Sequence, residues 1–122
     1  MNINIKTTQF ELTDSIRDYF EKKMEEVEKL TLSETENIIL SAELGKTTNH
    51  HKSGDIFRAE INLRLEGKML RAVSEKEDLY SAIDDVREEM VRQIKQSKEK
   101  NRSLFRKGGT QIKNIIKGFF AK

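Results

Sequence analysis

The apolar residues of this chain switch between two spacings, and the order of the switches leaves few folds open. They alternate with polar residues from Asn2 to Lys6, recur at steps of three and four from Ile16 to Leu30, alternate again from Ile38 to Ser74, and return to the longer steps from Leu79 to Ile94. Alternation puts successive side chains on opposite faces of a strand, whereas the longer step lines one side of a helix. The sequence therefore predicts the order β-α-β-β-β-α, an α+β fold. Two helices would pack on one face of a four-stranded sheet and leave the other face to solvent.

Local chemistry marks where these elements begin and end. Thr13 offers an N-cap hydroxyl and Asp14 an anion in the first turn, so a helix should run from there to about Lys29. Its buried stripe is Ile16, Phe20, Met24 and Val27, joined by Tyr19 and Leu30. Thr31 to Asn37 reads as a polar connection. Ile38, Leu40, Ala42 and Leu44 form the buried side of the next strand, which Gly45 is expected to end. KTTNHHKSGD, Lys46 to Asp55, has the composition of a long hairpin loop. Phe57, Ala59, Ile61, Leu63 and Leu65 make the clearest inward row, and Glu66-Gly67 turns the chain back. The last strand, Lys68 to Ser74, points Leu70 and Ala72 inward and Met69, Arg71 and Val73 outward. The second helix opens near Asp78 and buries Leu79, Ile83, Val86, Met90 and Ile94. With no glycine or proline before Gly108 it should continue to about Arg106, well past its last apolar contact. Residues 1–107 then form one domain. Residues 108–122, with Ile112, Ile115, Ile116, Phe119 and Phe120 among lysines, read as a basic amphipathic tail too short to be a domain.

Composition removes several classes of function. A chain of 122 residues can bury one core without staples. The absence of cysteine excludes disulfides, thiolate catalysis and cysteine-bound zinc. No leader pattern and no apolar run of the ~18 residues a membrane span needs is present, so the chain is expected to be cytoplasmic. No GxGxxG, P-loop or GxSxG motif occurs. His50-His51 sits in a polar loop without spaced ligand partners, which argues against a metal or acid–base site. Asp84-Asp85 and Glu88-Glu89 fall largely on the wet side of a helix, where solvation is expected. The reading is a binding protein and not an enzyme, with no cofactor, metal, small-molecule substrate, DNA or membrane partner.

Charge supplies the functional signal. Residues 1–86 carry 12 Lys and Arg against 18 Asp and Glu, whereas residues 87–122 carry 11 against 3. On charge alone, a polyanion contact and a solvated helix end favoured by its own dipole account equally well for this block. The overhang tips the balance toward RNA. At ~100° per residue the apolar stripe of the second helix spans about 80°, and Arg87, Lys95, Lys98, Arg102 and Arg106 fall in the next sector, about 100° wide. Arg92 and Lys100 lie off that sector, and Glu88 and Glu99 interrupt its margin. Arg58, Arg64 and Arg71 on the open sheet face either extend the basic surface or pair across strands with Glu60 and Glu43. No aromatic residues interleave the outward positions of the strands, so RNA would be read by backbone and shape.

Two segments carry a family resemblance. EDLYSAIDDVREEMVRQIKQSKEK, Glu77 to Lys100, resembles the C-terminal helix of the ribosome hibernation-promoting factor and ribosome-associated inhibitor A family, also called the sigma-54 modulation protein family. INIKTTQFELTDSIRDYFEKKMEEVEKL, Ile3 to Leu30, resembles its first strand and helix. The resemblance covers roughly residues 1 to 102. It implies a fold like a double-stranded-RNA-binding domain, lodged in the decoding channel of the small ribosomal subunit, where it would exclude messenger and transfer RNA in idle or stressed cells. Carried over by position, it implies RNA contacts from Arg17, Lys22, Lys23 and Lys29 on the first helix and from Arg87, Arg92, Lys95, Lys98, Lys100 and Arg102 on the second. Ser97 stands where relatives often place a histidine or basic residue. The residues after Arg106 are too few for the separate dimerising domain of the family's long forms. The competing reading is an interaction module that self-associates through its open sheet face and tail.

Overall fold

The computed structural model describes residues 1–31, 38–47, 54–65 and 67–106, with the side chains of 101–106 outside the description. Residues 32–37 of the polar connection before β2, the centre of the hairpin loop with His50 and His51, Glu66 of the turn, and the 108–122 tail all lie outside the described residues. The elements follow the expected order: β1 (Asn2–Thr8), α1 (Asp14–Lys29), β2 (Ile39–Thr47), β3 (Ile56–Leu65), β4 (Lys68–Lys76) and α2 (Leu79–Arg106). They form a four-stranded sheet in the order β1-β2-β3-β4. β1 and β2 are parallel, and a parallel pair needs a crossover, which α1 supplies. β2, β3 and β4 form an antiparallel meander.

Three boundaries differ from the sequence reading. β1 continues to Thr8 and β4 to Lys76, each two residues beyond the expected end. β2 does not stop at Gly45 but runs on to Thr47. Gly45 is a ladder residue between Thr8 and Arg58. A Cβ there would lie 3.4 Å from the Thr8 Cβ, so the glycine permits close backbone approach and does not break the strand. The caps agree with the residue chemistry. The Thr13 side chain accepts from the Ile16 N–H at 3.2 Å, and the Asp78 carboxylate accepts from the N–H groups of Tyr80 and Ser81. Thr31, buried although polar, donates its hydroxyl to the Glu28 carbonyl at 2.7 Å and closes the end of α1.

The core lies between the helices and one sheet face. Phe20, Met24 and Val27 of α1 and Ile83, Val86, Met90 and Ile94 of α2 are buried, together with Leu40, Leu44, Ala59, Ile61 and Leu63 of the sheet. Ala82, which the stripe reading passed over, is buried with them. The opposite sheet face is open and carries Met69 (60% exposed), Ile39 and Val73. Its centre is tied by a carboxylate. Glu60 accepts from Asn62 at 3.1 Å and from Arg71 Nε at 3.2 Å, and pairs with Arg58 at 2.8 Å. Arg58 also reaches Glu43 at 3.7 Å. Arg71 is therefore paired across strands, and Arg58 both within β3 and across to β2.

Two outcomes follow for stability. Ile61→Ala empties a fully buried position and should cost about 2–5 kcal/mol, whereas Val73→Ala on the open face should stay within about 0.5 kcal/mol; urea unfolding measures both. The hydrogen bonds from Asn62 and Arg71 hold the Glu60 carboxyl down from 4.5 to about 2. A depressed carboxyl stabilises the fold fully above its unfolded value and loses that contribution as pH falls through the folded one. The stability gap between the native protein and Glu60→Gln should therefore be full above about pH 4.5 and close as the pH falls toward about 2. A gap independent of pH would contradict the assignment.

Candidate nucleic-acid interface

The two helices meet along one seam. The Tyr19 hydroxyl donates to Asp84 Oδ1 at 2.6 Å, and this bond, with burial second, pushes the Tyr19 pKa up to about 12. The Tyr19 ring meets Tyr80 edge-to-face at 4.9 Å. Lys23 Nζ lies 3.7 Å from Asp84 and 5.3 Å from the centre of the Tyr19 ring. Further along, Arg87 Nη1 donates to Glu26 Oε1 at 3.2 Å. Tyr19 with Tyr80, Lys23 with Asp84 and Glu26 with Arg87 are each separated by 61 positions. The helices therefore run in the same direction and advance together. α1 ends at Lys29, level with Met90, and α2 continues to Arg106.

That register decides which basic residues share a surface. At ~1.5 Å rise per residue, Lys95 and Lys98 stand about 7 and 12 Å beyond the level of Lys29. At ~100° per residue they also project from the side of α2 that faces α1, in the line α1 would occupy if it were longer. Lys22 and Lys29 fall on the outward side of α1 and are exposed, as is Lys95, while Lys98 is half-buried. Lys29, Lys95 and Lys98 form a basic corner where α1 stops, and Lys22 extends it about 10 Å back along the outward side of α1. Arg17 is exposed but projects from the flank of α1 turned away from α2. Lys100 is exposed and lies off the corner sector. Arg102 lies within α2, but its side chain is outside the described residues.

Three of the sequence-derived candidates are held by carboxylates. Lys23 and Arg87 belong to the seam, each with a side chain 24% exposed. Arg92 projects toward β4 and donates through Nε to Glu89 at 3.1 Å. Hydrogen bonds from Arg92 and then Gln93 hold the Glu89 carboxyl below its ordinary range. Gln93 Nε2 also donates to the Arg71 carbonyl at 2.8 Å, joining α2 to the outer edge of β4. The groove there, about 580 Å³, is lined by Asp85, Glu88 and Glu89 as well as Arg71 and Arg92, a poor receptor for phosphate. The sequence reading missed Glu26, Asp84, Tyr80 and Gln93. Their roles depend on the direction and offset of packed elements, which periodicity does not encode.

Among the described residues no group of three or more potential ligands is placed to hold a metal ion. No helix among them is long and apolar enough to cross a membrane. The corner presents separated cations on a rigid helical frame, an arrangement suited to neutralising phosphates spaced along a nucleic-acid backbone.

Comparison with known proteins places this chain in a family. Residues 3–102 match the family described as sigma 54 modulation protein / S30EA ribosomal protein. The chain is 34% identical over 103 residues to a ribosome hibernation promotion factor of Picosynechococcus sp., covering 83% of this chain and 51% of that protein. It is 31% identical over 104 residues to a ribosome hibernation promoting factor of Pseudomonas putida, covering 85% and 93% respectively. The chain thus spans about half the length of the first relative and nearly all of the second. Among solved structures, the N-terminal domain of Thermus thermophilus Protein Y matches with a TM-score of 0.63 at 32% identity, over 79% of this chain and 98% of that one. A ribosomal subunit interface protein from Coxiella burnetii, at 19% identity and a TM-score of 0.61, shares the fold. The matched span takes in β1 through the basic stretch of α2, so that fold and candidate surface fall within it together, and the chain belongs to the sigma 54 modulation protein / S30EA ribosomal protein family.

Proposed function

We propose that this protein is a ribosome-associated translation inhibitor that binds the small subunit and occupies its decoding channel, excluding messenger and transfer RNA. The observation that carries the reading is the overhang of α2. The helix continues to Arg106, whereas its last buried core residue is Ile94, and the extra turns bring Lys95, Lys98 and Lys100 beyond the end of α1. A helix extended past its own core gains nothing from burial, which points to a partner outside the fold, and ribosomal RNA supplies charge opposite to its cations at high density. Family membership and relatives named as hibernation factors support the same conclusion.

The mechanism is occupancy. Binding free energy comes from releasing counterions as Lys and Arg neutralise phosphates, and the bound domain fills space that messenger and transfer RNA need. No bond is made or broken. A second reading, self-association through the open sheet face, draws on the exposed Met69, Ile39 and Val73.

Co-sedimentation with small subunits across a salt series tests both readings. Saturable binding should weaken with salt and collapse in the Lys95→Glu/Lys98→Glu/Lys100→Glu variant, whose log–log salt slope should be shallower by roughly 0.7–0.9 for each phosphate left unneutralised. Messenger or aminoacyl-transfer RNA added first should compete. Binding untouched by the triple reversal would sink the surface assignment, and concentration-dependent oligomers without ribosome binding would favour the open-face reading.

A further inference from the structure

The basic corner exists only if α1 and α2 hold their axial register. A slip of one residue moves Lys29 about 1.5 Å along the axis and about 100° around it relative to Lys95 and Lys98. Apolar packing between the helices is non-directional and limits such a slip weakly, whereas hydrogen bonds and ion pairs fix particular atoms against one another. The seam supplies these at two successive levels, Lys23 and Tyr19 on Asp84 and Glu26 on Arg87, beside the edge-to-face contact of Tyr19 with Tyr80.

We propose that Lys23 and Arg87 are positioning residues, which lock the register of the two helices and do not contact phosphate, so that Lys22, Lys29 and the α2 overhang form the RNA-contacting set. The inference rests on the function proposed above and refines its surface. Arg87 is the clearest case. Its Nη1 is bonded to Glu26, its Nη2 lies 3.9 Å from Glu88, and its Nε is buried. Three quarters of the side chain is covered, so a phosphate would have to displace a carboxylate and gain access to a guanidinium already packed into the seam. Lys23 is held in the same way, with Asp84 in front of its ammonium and the Tyr19 ring beneath. Lys22, Lys29 and Lys95 stand exposed to solvent.

The two roles for Arg87 predict opposite responses to the same substitutions. Glu26→Gln adds a unit of positive charge to the surface. If Arg87 were a phosphate ligand, releasing it from Glu26 would tighten binding; as a positioning residue it loses its anchor, and binding should weaken by roughly two- to five-fold, the scale of one surface ion pair. The charge swap Glu26→Arg/Arg87→Glu keeps the net charge and restores the pair in reverse.

Small-subunit binding is measured over a salt series for the native protein, Glu26→Gln, Arg87→Glu and the swap, with thermal unfolding of each. Arg87→Glu should bind at least tenfold more weakly, while the swap recovers to within about two-fold with an unchanged salt slope. A swap as weak as Arg87→Glu with a slope shallower by about 0.7–0.9, or a Glu26→Gln variant that binds tighter with a slope steeper by as much, would overturn the positioning role and make Arg87 a phosphate ligand. Absence of binding by the native protein would instead overturn the ribosome-binding reading and, with it, this refinement.

Discussion

The parallel pairing of β1 with β2 is the constraint on which the rest of the structure depends. Two parallel neighbours cannot be joined by a tight turn, so the chain between Thr8 and Ile39 must cross the sheet, and α1 is that crossing. Once α1 lies on one face, its apolar stripe needs a partner, and the meander β2-β3-β4 returns the chain to deliver α2 onto the same face. Both helices bury one side against the sheet and meet laterally at a constant offset of 61 residues. Similar core lengths but unequal total lengths then produce the overhang: α1 has 16 residues and α2 has 28.

Electrostatics follow from this geometry more than from net charge, which is only +2. On the open sheet face, Arg58 and Arg71 are offset by Glu60 and Glu43, and the hydrogen bond from Asn62 together with these arginine contacts holds the central carboxyl well below its ordinary range. Along the seam and against β4, Lys23, Arg87 and Arg92 are likewise matched to Asp84, Glu26 and Glu89. Acidic and basic residues thus neutralise one another along the seam, against β4 and at the centre of the open sheet face. The basic corner is where packing stops, because α1 has ended and α2 has passed Ile94, leaving Lys29 and Lys95 with solvent. A polyanion would meet a local field much larger than the whole-molecule charge suggests.

The fold was legible because each element carries an uninterrupted period. The inward row Phe57, Ala59, Ile61, Leu63 and Leu65 and the stripe Leu79, Ile83, Val86, Met90 and Ile94 admit one burial pattern apiece. The error at Gly45 has a physical source: glycine ends strands and also permits close approach inside them, and only the neighbouring Thr8 separates the two uses. The candidate surface was legible in part. Lys95 and Lys98 could be read from helical sector alone, since position along one helix is a local property. Whether Arg17 shares a surface with Lys29, or Arg87 is tied to Glu26, depends on which flank of α1 faces α2, and that is set by the sheet order and crossover.

Recognition by such a corner would depend on shape. The open sheet face has no aromatic platform, its exposed apolar residues being Ile39, Met69 and Val73, and the aromatic pair Tyr19–Tyr80 is locked edge-to-face within the seam. Among the described residues, no flat ring stands at the basic corner for an unpaired base to stack on. Cations at fixed separations on two helices in register instead select a phosphate backbone of a particular curvature, whatever its sequence. Folded ribosomal RNA holds its phosphates in one invariant arrangement, so a rigid corner can be specific for it without reading a base. On the positioning role proposed for Lys23 and Arg87, the acidic partners would matter as much as the cations. Asp84 and Glu26 would repel RNA individually, yet in that role, by anchoring Lys23 and Arg87, they would hold the remaining lysines at the spacing on which the proposed surface depends.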